Sequence, residues 1–393
     1  MKTPQNMALL PAGLRDILPP EAAFEAGIRE ALAATFVSNG YDRVKPPLVE
    51  FEEGLTSGPG AAVSGDTFRL MDPVSQRMMG IRADMTTQVA RIALTRLGGA
   101  PRPLRLSYTG EVLRVRGTQL RPERQFAQVG AELIGSESSA ADIEIIVIAL
   151  ESLREIGVPE LSVDLTIPPL VPSLIADMDL SGPQIVELRD ALDRKDMGAV
   201  QENGGASASA LCQLMESTGP AVRALRTLDG LLLPPAPASE LSRLKAVVKG
   251  LGDRIPDLNI TVDPIENRGF EYHTGIGFTF FSQGERGEIG SGGRYLASTT
   301  GSTSGQENSE PATGFTLYVD TVLRVLSAPE PAPRLFVPLD TPVEGLGELR
   351  RVGWLTIGAV DVTDDVASEA RRLHCTHVWK DGAPVPLDGD QSS

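Results

Sequence analysis

Arg124-Gln125-Phe126-Ala127-Gln128-Val129-Gly130-Ala131-Glu132 is the stretch whose reading decides the fold. With the period of two that a strand imposes, Arg124, Phe126, Gln128 and Glu132 share one face and Ala127, Val129 and Ala131 the other. A polar row over an apolar back reads either as the floor of a pocket or as a solvated sheet face, and the pattern alone leaves both open. Upstream, Leu104 to Arg114 is a second strand candidate, joined to the first by the arginine-rich stretch Val115 to Glu123. Downstream, Ala140 to Ile156 is a strongly apolar helix.

Further out, Phe24, Ile28, Leu32 and Phe36 recur at helical spacing over 21–38, and Asn39-Gly40 closes that helix. Tyr41 to Glu50 is extended; Pro46 and Pro47 assign it to an edge or an interface, because proline cannot donate to a ladder. A hairpin is expected over 67–82 and a helix from Thr86 to Leu97, with Asp84 or Thr86 as its cap. Between 168 and 257 the pattern is helical and Ala/Leu-rich. Its flanks, Leu161 to Thr166 and Asn259 to Val262, are strand-like, as if a helical insertion left and re-entered one sheet. Residues 275–281, 286–292 and 313–320 resume the sheet, and the Gly/Ser/Thr-rich stretch Ser298 to Glu310 is expected to be a mobile loop. The tail alternates strand and helix as a small βαβαβ-like unit.

Composition bounds the function. The 393 residues suffice for two or three domains, and 41% hydrophobic with 22% charged residues is ordinary for a globular protein with a core. No apolar run approaches a membrane span, and the N-terminus leads into no signal-type segment, so a cytoplasmic location is expected. Cys212 and Cys375 stand far apart without metal-ligand spacing, which argues for a reducing compartment and against a metal site. With 52 acidic against 36 basic side chains, the net charge of −16 repels polyanions and lowers the expectation for tRNA.

Chemistry-bearing residues gather in four stretches. Gly80-Ile81-Arg82-Ala83-Asp84-Met85-Thr86 sets a carboxylate and a hydroxyl where strand turns into helix; alone, it reads as a helix cap. The second is the strand quoted above. The third, Asn267-Arg268-Gly269-Phe270-Glu271-Tyr272-His273-Thr274-Gly275, clusters a cation, a phenol and an imidazole. Gly290-Ser291-Gly292-Gly293-Arg294-Tyr295 is the fourth.

In this order the stretches resemble the catalytic domain of the class II histidyl-tRNA synthetases, over about 1–325. Pro11 to Asp16 looks like the family's N-terminal signature, and 21–50 like motif 1, the dimer interface. Arg114 through Gln128 looks like motif 2, while Arg268 to Gly275 and Gly292 to Tyr295 resemble the histidine-specific loops. The resemblance implies an α+β fold: a class II synthetase-like antiparallel sheet flanked by helices, with a helical insertion at about 168–257. A linker at 326–333 and a small α/β C-terminal domain at 334–393 would follow. It also implies a histidine site built from Asp84, Thr86, Arg114, Gln128, Glu132, Arg268, Tyr272, His273 and Tyr295. Asp84 and Thr86 would hold the α-amino group, Glu132 the imidazole, Tyr272, His273 and Tyr295 the ring, and Arg268 the carboxylate. An ammonium suits a carboxylate and a hydroxyl, and an imidazole N–H suits a buried acceptor. Two positions depart from the family: Asp84 is one methylene shorter than its glutamate, and His273 replaces its usual tyrosine.

The ATP half of the site departs further. Arg114 is followed by Arg116 where the family has a glutamate that reads adenine. In the motif 3 counterpart, Gly314 to Thr321, Tyr318 stands at a glycine position and Thr321 at the nucleotide-clamping arginine. Losing such a cation removes on the order of 3 kcal/mol of transition-state binding. The pattern is similar to a known paralog family, the synthetase-like regulatory subunits of ATP phosphoribosyltransferase. That likeness implies no catalytic residues and no cofactor. It implies a short-form catalytic partner, a homodimer through the motif 1-like region within a hetero-oligomer, histidine as effector, and binding to neither tRNA nor membrane. A divergent histidyl-tRNA synthetase and a stand-alone histidine-binding protein are the alternatives.

Overall fold

The computed structural model describes residues 9–56, 58–176, 180–266, 272–298, 309–339 and 341–387. Arg268 and most of the Ser298–Glu310 stretch lie outside them. The chain divides into two compact units, Met1–Ser327 and Ala328–Ser393.

The first unit is built on a nine-stranded sheet. Its middle is antiparallel, in the order Leu104–Leu113, Gln125–Ile134, Ser309–Tyr318, Gly290–Ser298, His273–Ser282, Leu161–Thr166. Parallel pairings extend it at both ends, Asp42–Arg43 beside Leu104–Leu113 and Asn259–Asp263 beside Leu161–Thr166. The sheet is therefore mixed, antiparallel through its centre and again at the edge where Gly219–Pro220 meets Asn259–Asp263. Asp42–Arg43 is an edge strand, as the prolines require. It stops before Pro46 and Pro47, whose carbonyls accept from Arg82 Nη1 at 3.0 Å and Gln88 Nε2 at 2.8 Å.

The alternation of Gln125–Ile134 sorts its side chains onto two cores. Ala127, Val129, Ala131 and Leu133 pack with Leu32 and Phe36 of helix Glu21–Ser38 and with Ile145, Ala149 and Leu153 of helix Ser139–Glu155. Phe126 and Ile134 face the other way, onto Met85 and onto Val89 and Ala93 of helix Thr86–Thr95. Helix Glu21–Ser38 ends as expected: Asn39 Nδ2 donates to the Thr35 carbonyl at 2.9 Å, and Gly40 takes φ +83°.

The insertion leaves the sheet after Thr166 and returns at Asn259. Its helices run from Leu170–Ile175 to Pro235–Arg254, and Gly219–Pro220 adds a short strand at the sheet edge. One expected strand is displaced. Residues 286–288 belong to the turn, Ile289 bonds through its backbone to Phe280 and Tyr318, and the strand begins at Gly290. The cause is a wide turn closed by Glu285, whose Oε1 accepts the backbone N–H groups of Arg286 and Gly287 at 3.1 and 3.2 Å.

The second unit is a four-stranded sheet, ordered Leu355–Gly358, Arg334–Val337, His377–Lys380, Ala383–Pro386. Its first three strands are parallel, with helices Leu346–Arg351 and Val366–Arg372 in the connections. Leu335 and Val337 pack with Leu346 while Phe336 packs with Ala370 and Cys375, so both faces are covered.

Candidate functional site

Five elements of the first unit converge on a cavity of about 330 Å³, its mouth included. Asp84 and Thr86 come from the entry to helix Thr86–Thr95, Glu132 from Gln125–Ile134, and Tyr272 and His273 from the start of the strand His273–Ser282. Ser291, Gly292, Gly293 and Tyr295 come from Gly290–Ser298, and Gly314 to Thr316 and Tyr318 from Ser309–Tyr318.

Asp84 does two things at once. The N-cap position falls to Met85 rather than to Asp84 or Thr86, but Asp84 Oδ1 accepts the Thr86 backbone N–H at 2.8 Å just ahead of the helix, while the carboxylate also lines the cavity. Its Oδ2 accepts from Gln128 Nε2 at 2.9 Å, and Gln128 Oε1 accepts the Met85 N–H at 3.2 Å. Gln128 is thus fully buried behind the wall, orienting Asp84 rather than lining the cavity.

Glu132 is the buried carboxyl of the site, only 1% exposed. Tyr295 donates to its Oε2 at 3.0 Å and Tyr108 to its Oε1 at 3.3 Å. Tyr108 also meets the Thr316 hydroxyl at 2.7 Å. Burial pushes the Glu132 carboxyl up to about 8; the Tyr295 hydroxyl opposes the rise and the neighbouring Asp84 carboxylate adds to it. A group poised there exchanges its proton near neutrality and prefers a ligand that brings an N–H donor or a positive charge. The carboxylate fits because residue 314, its partner across the ladder, is glycine: a Cβ there would meet Glu132 Oε2 at 1.7 Å. Gly130 likewise admits Tyr108, whose hydroxyl would lie 2.4 Å from an added Cβ.

Aromatic rings form the remaining walls. The rings of Tyr272 and His273 lie 4.1 Å apart, and those of Tyr272 and Tyr295 meet edge-on at 6.5 Å. The geometry therefore joins Asp84, Thr86, Glu132, Tyr272, His273 and Tyr295 around one space, with Gln128 behind them. Arg114 does not line it. Its Nε donates to the Ala83 carbonyl at 3.4 Å and its guanidinium stands over the Phe126 ring at 5.2 Å. Tyr108 and Thr316 hold the site together without having been singled out from sequence. The only signal was register, since Tyr108 and Thr316 both stand opposite Gly130. Among the described residues no group of three His, Cys, Asp or Glu side chains could hold a metal ion.

Beyond Tyr318 the segment turns away from the cavity. Thr321 is buried in helix Val319–Val325, its hydroxyl donating to the Tyr318 carbonyl at 3.0 Å. Arg324 pairs with Glu123 at 3.1 Å, and Arg116 is exposed.

The model of the histidyl-tRNA synthetase family matches residues 13–322. A protein of Paramagnetospirillum magneticum named ATP phosphoribosyltransferase regulatory subunit is 54% identical over 95% of this chain and 96% of its own length. One of the same name from Rhodospirillum centenum is 51% identical over 96% of each chain. The crystal structure of an ATP phosphoribosyltransferase regulatory subunit/histidyl-tRNA synthetase from Bacillus halodurans superposes with a TM-score of 0.75 at 22% identity, covering 94% of this chain and 97% of that one. That likeness shows a shared fold, the α+β architecture expected from sequence. Identity above one half along nearly the whole chain goes further: this chain belongs to the ATP phosphoribosyltransferase regulatory subunits, a family built on a histidyl-tRNA synthetase domain.

Proposed function

We propose that the protein is the non-catalytic subunit that a short ATP phosphoribosyltransferase needs for activity, at the first step of histidine biosynthesis, and that histidine in the cavity described above lowers that activity. The carrying observation is the cavity's two carboxyl groups: Asp84 at a helix entry for an ammonium, and Glu132, braced by two tyrosines, for an imidazole that can share its proton. In this reading Asp84 and Thr86 take the α-amino group, and Tyr272, His273 and Tyr295 flank the ring. Gln128 orients Asp84. Arg114 acts from outside the wall, and Arg268 carries the carboxylate contact.

The absence of catalysis in this reading follows from the motif 3 segment, where Tyr318 lines the cavity and Thr321 is spent on a backbone bond. A homodimer through residues 21–50 fits the exposed apolar side chains Val37 and Leu48 of that segment. The net charge of −16 disfavours tRNA, and among the described residues no helix is long and apolar enough to cross a membrane. A cytoplasmic location suits the two free cysteines.

Regulation then reduces to linkage: histidine shifts the hetero-oligomer by the difference in its affinity for the two states. Calorimetric titration with histidine tests the binding half. Saturable binding is expected, weakened in Glu132→Ala; no heat up to millimolar histidine in either protein removes the sensor role. Histidine-dependent ATP–pyrophosphate exchange tests the non-catalytic half, and detectable exchange overturns it.

A further inference from the structure

Arg121 belongs to no part of the site so far, yet it is 8% exposed and set against one of the cavity walls. Its guanidinium carbon lies 3.8 Å from the centroid of the Tyr318 ring and 5.0 Å from that of Phe126. Those two rings meet edge-on at 6.1 Å. Asp320 pairs with Arg121 Nε at 3.4 Å, and Glu288 lies 3.9 Å from its Nη2. Tyr318 lines the cavity, and its hydroxyl meets that of Ser291 at 2.9 Å. The cation is therefore held by aromatic faces and carboxylates together, and it fixes the ring that walls the cavity.

The position of that wall matters for the ligand. Asp84 and Glu132, the two carboxyl groups lining the cavity, favour an ammonium and an imidazole over a carboxylate. The Ser291–Tyr318 hydroxyl pair offers donors to the carboxylate of a bound amino acid, in addition to the Arg268 contact proposed above. Anything attached to that carboxylate would meet the braced ring.

We infer that Arg121 is a specificity-determining residue: by clamping Tyr318 it limits the cavity to an amino acid with a free carboxylate and excludes one carrying a large group there, an aminoacyl nucleotide in particular. This deepens the histidine reading and rests on it. Arg121 touches no ligand; it acts through Tyr318 and is a positioning residue.

The test is a ratio of two dissociation constants, measured by calorimetry on the full chain with histidine and with 5′-O-(N-histidylsulfamoyl)adenosine. The wild-type protein is expected to prefer histidine at least tenfold, and Arg121→Ala to narrow that preference at least threefold. Asp320→Asn, which removes the ion pair and leaves the rings, is expected to move the ratio the same way and serves if Arg121→Ala does not fold. A general loss of stability weakens both ligands together and leaves the ratio where it was. A wild-type preference under tenfold overturns the inference, as does an unchanged ratio in the folded variants. Binding of neither ligand by the wild type removes the histidine reading itself, a result distinct from a wild type that binds both alike.

Discussion

At the scale of single residues, Glu132 concentrates the argument. Replacing it with Gln keeps the size and removes the ability to ionise against a bound imidazole, so a charge-assisted bond to the ring is lost. We expect histidine affinity to fall by about 1.5–3 kcal/mol, roughly ten- to a hundredfold; an unchanged dissociation constant assigns the imidazole elsewhere. The same carboxyl carries a pH signature. Its folded value of about 8 lies above the ordinary 4.5, so the folded state holds the proton more tightly. The stability it contributes is complete below pH 4.5 and is lost as pH rises through 8. Glu132→Gln does not titrate. Between pH 5.5 and 8.5 it should therefore gain at least about 1 kcal/mol on the wild type in urea denaturation of the ligand-free proteins. A pH-independent difference contradicts the burial argument. Gly314→Ala is the steric counterpart: with no room for the Glu132 carboxylate beside a methyl group, histidine binding should fall at least tenfold.

At the scale of elements, strand Gly290–Ser298 is fastened to helix Ser139–Glu155 by a buried ion pair. Arg294 Nη2 lies 2.8 Å from Asp142 Oδ1, and Arg294 also donates to the carbonyls of Ser136 and Ser138. Asp142→Ala leaves that guanidinium without its carboxylate in a dry site. We expect a loss of about 3–5 kcal/mol in chemical denaturation, and a loss below 1 kcal/mol contradicts this account of the contact. Elements were legible in the sequence where one periodicity ruled. Gln125–Ile134 reads as a strand because its polar and apolar positions alternate, and Ser139–Glu155 as a helix because its apolar face repeats. The start of Gly290–Ser298 was not legible, because the Glu285-closed turn continues the alternation but pairs with its neighbours only from Ile289 on. Ala383–Pro386 was missed for a different reason: Pro384 and Pro386 argue against a strand, and an edge position tolerates them. Within the site, the charged residues stood out by type. Tyr108 did not, since its role depends on lying opposite Gly130, a fact of register.

At the scale of the molecule, every residue lining the cavity belongs to the unit Met1–Ser327. A fragment ending at Ser327 is therefore expected to bind histidine within about threefold of the full chain, since no wall of the cavity is removed. A fragment that folds by circular dichroism and fails to bind places part of the site outside that unit. The assembled function is the larger question, and steady-state kinetics of a short ATP phosphoribosyltransferase catalytic subunit with this protein added address it most directly. The expected result is activity that appears on addition, falls again with histidine, and resists histidine when the added protein carries Glu132→Gln. A catalytic rate indifferent to the added protein, or inhibited by histidine equally with the wild type and with that variant, contradicts the assignment of this cavity as the regulatory site.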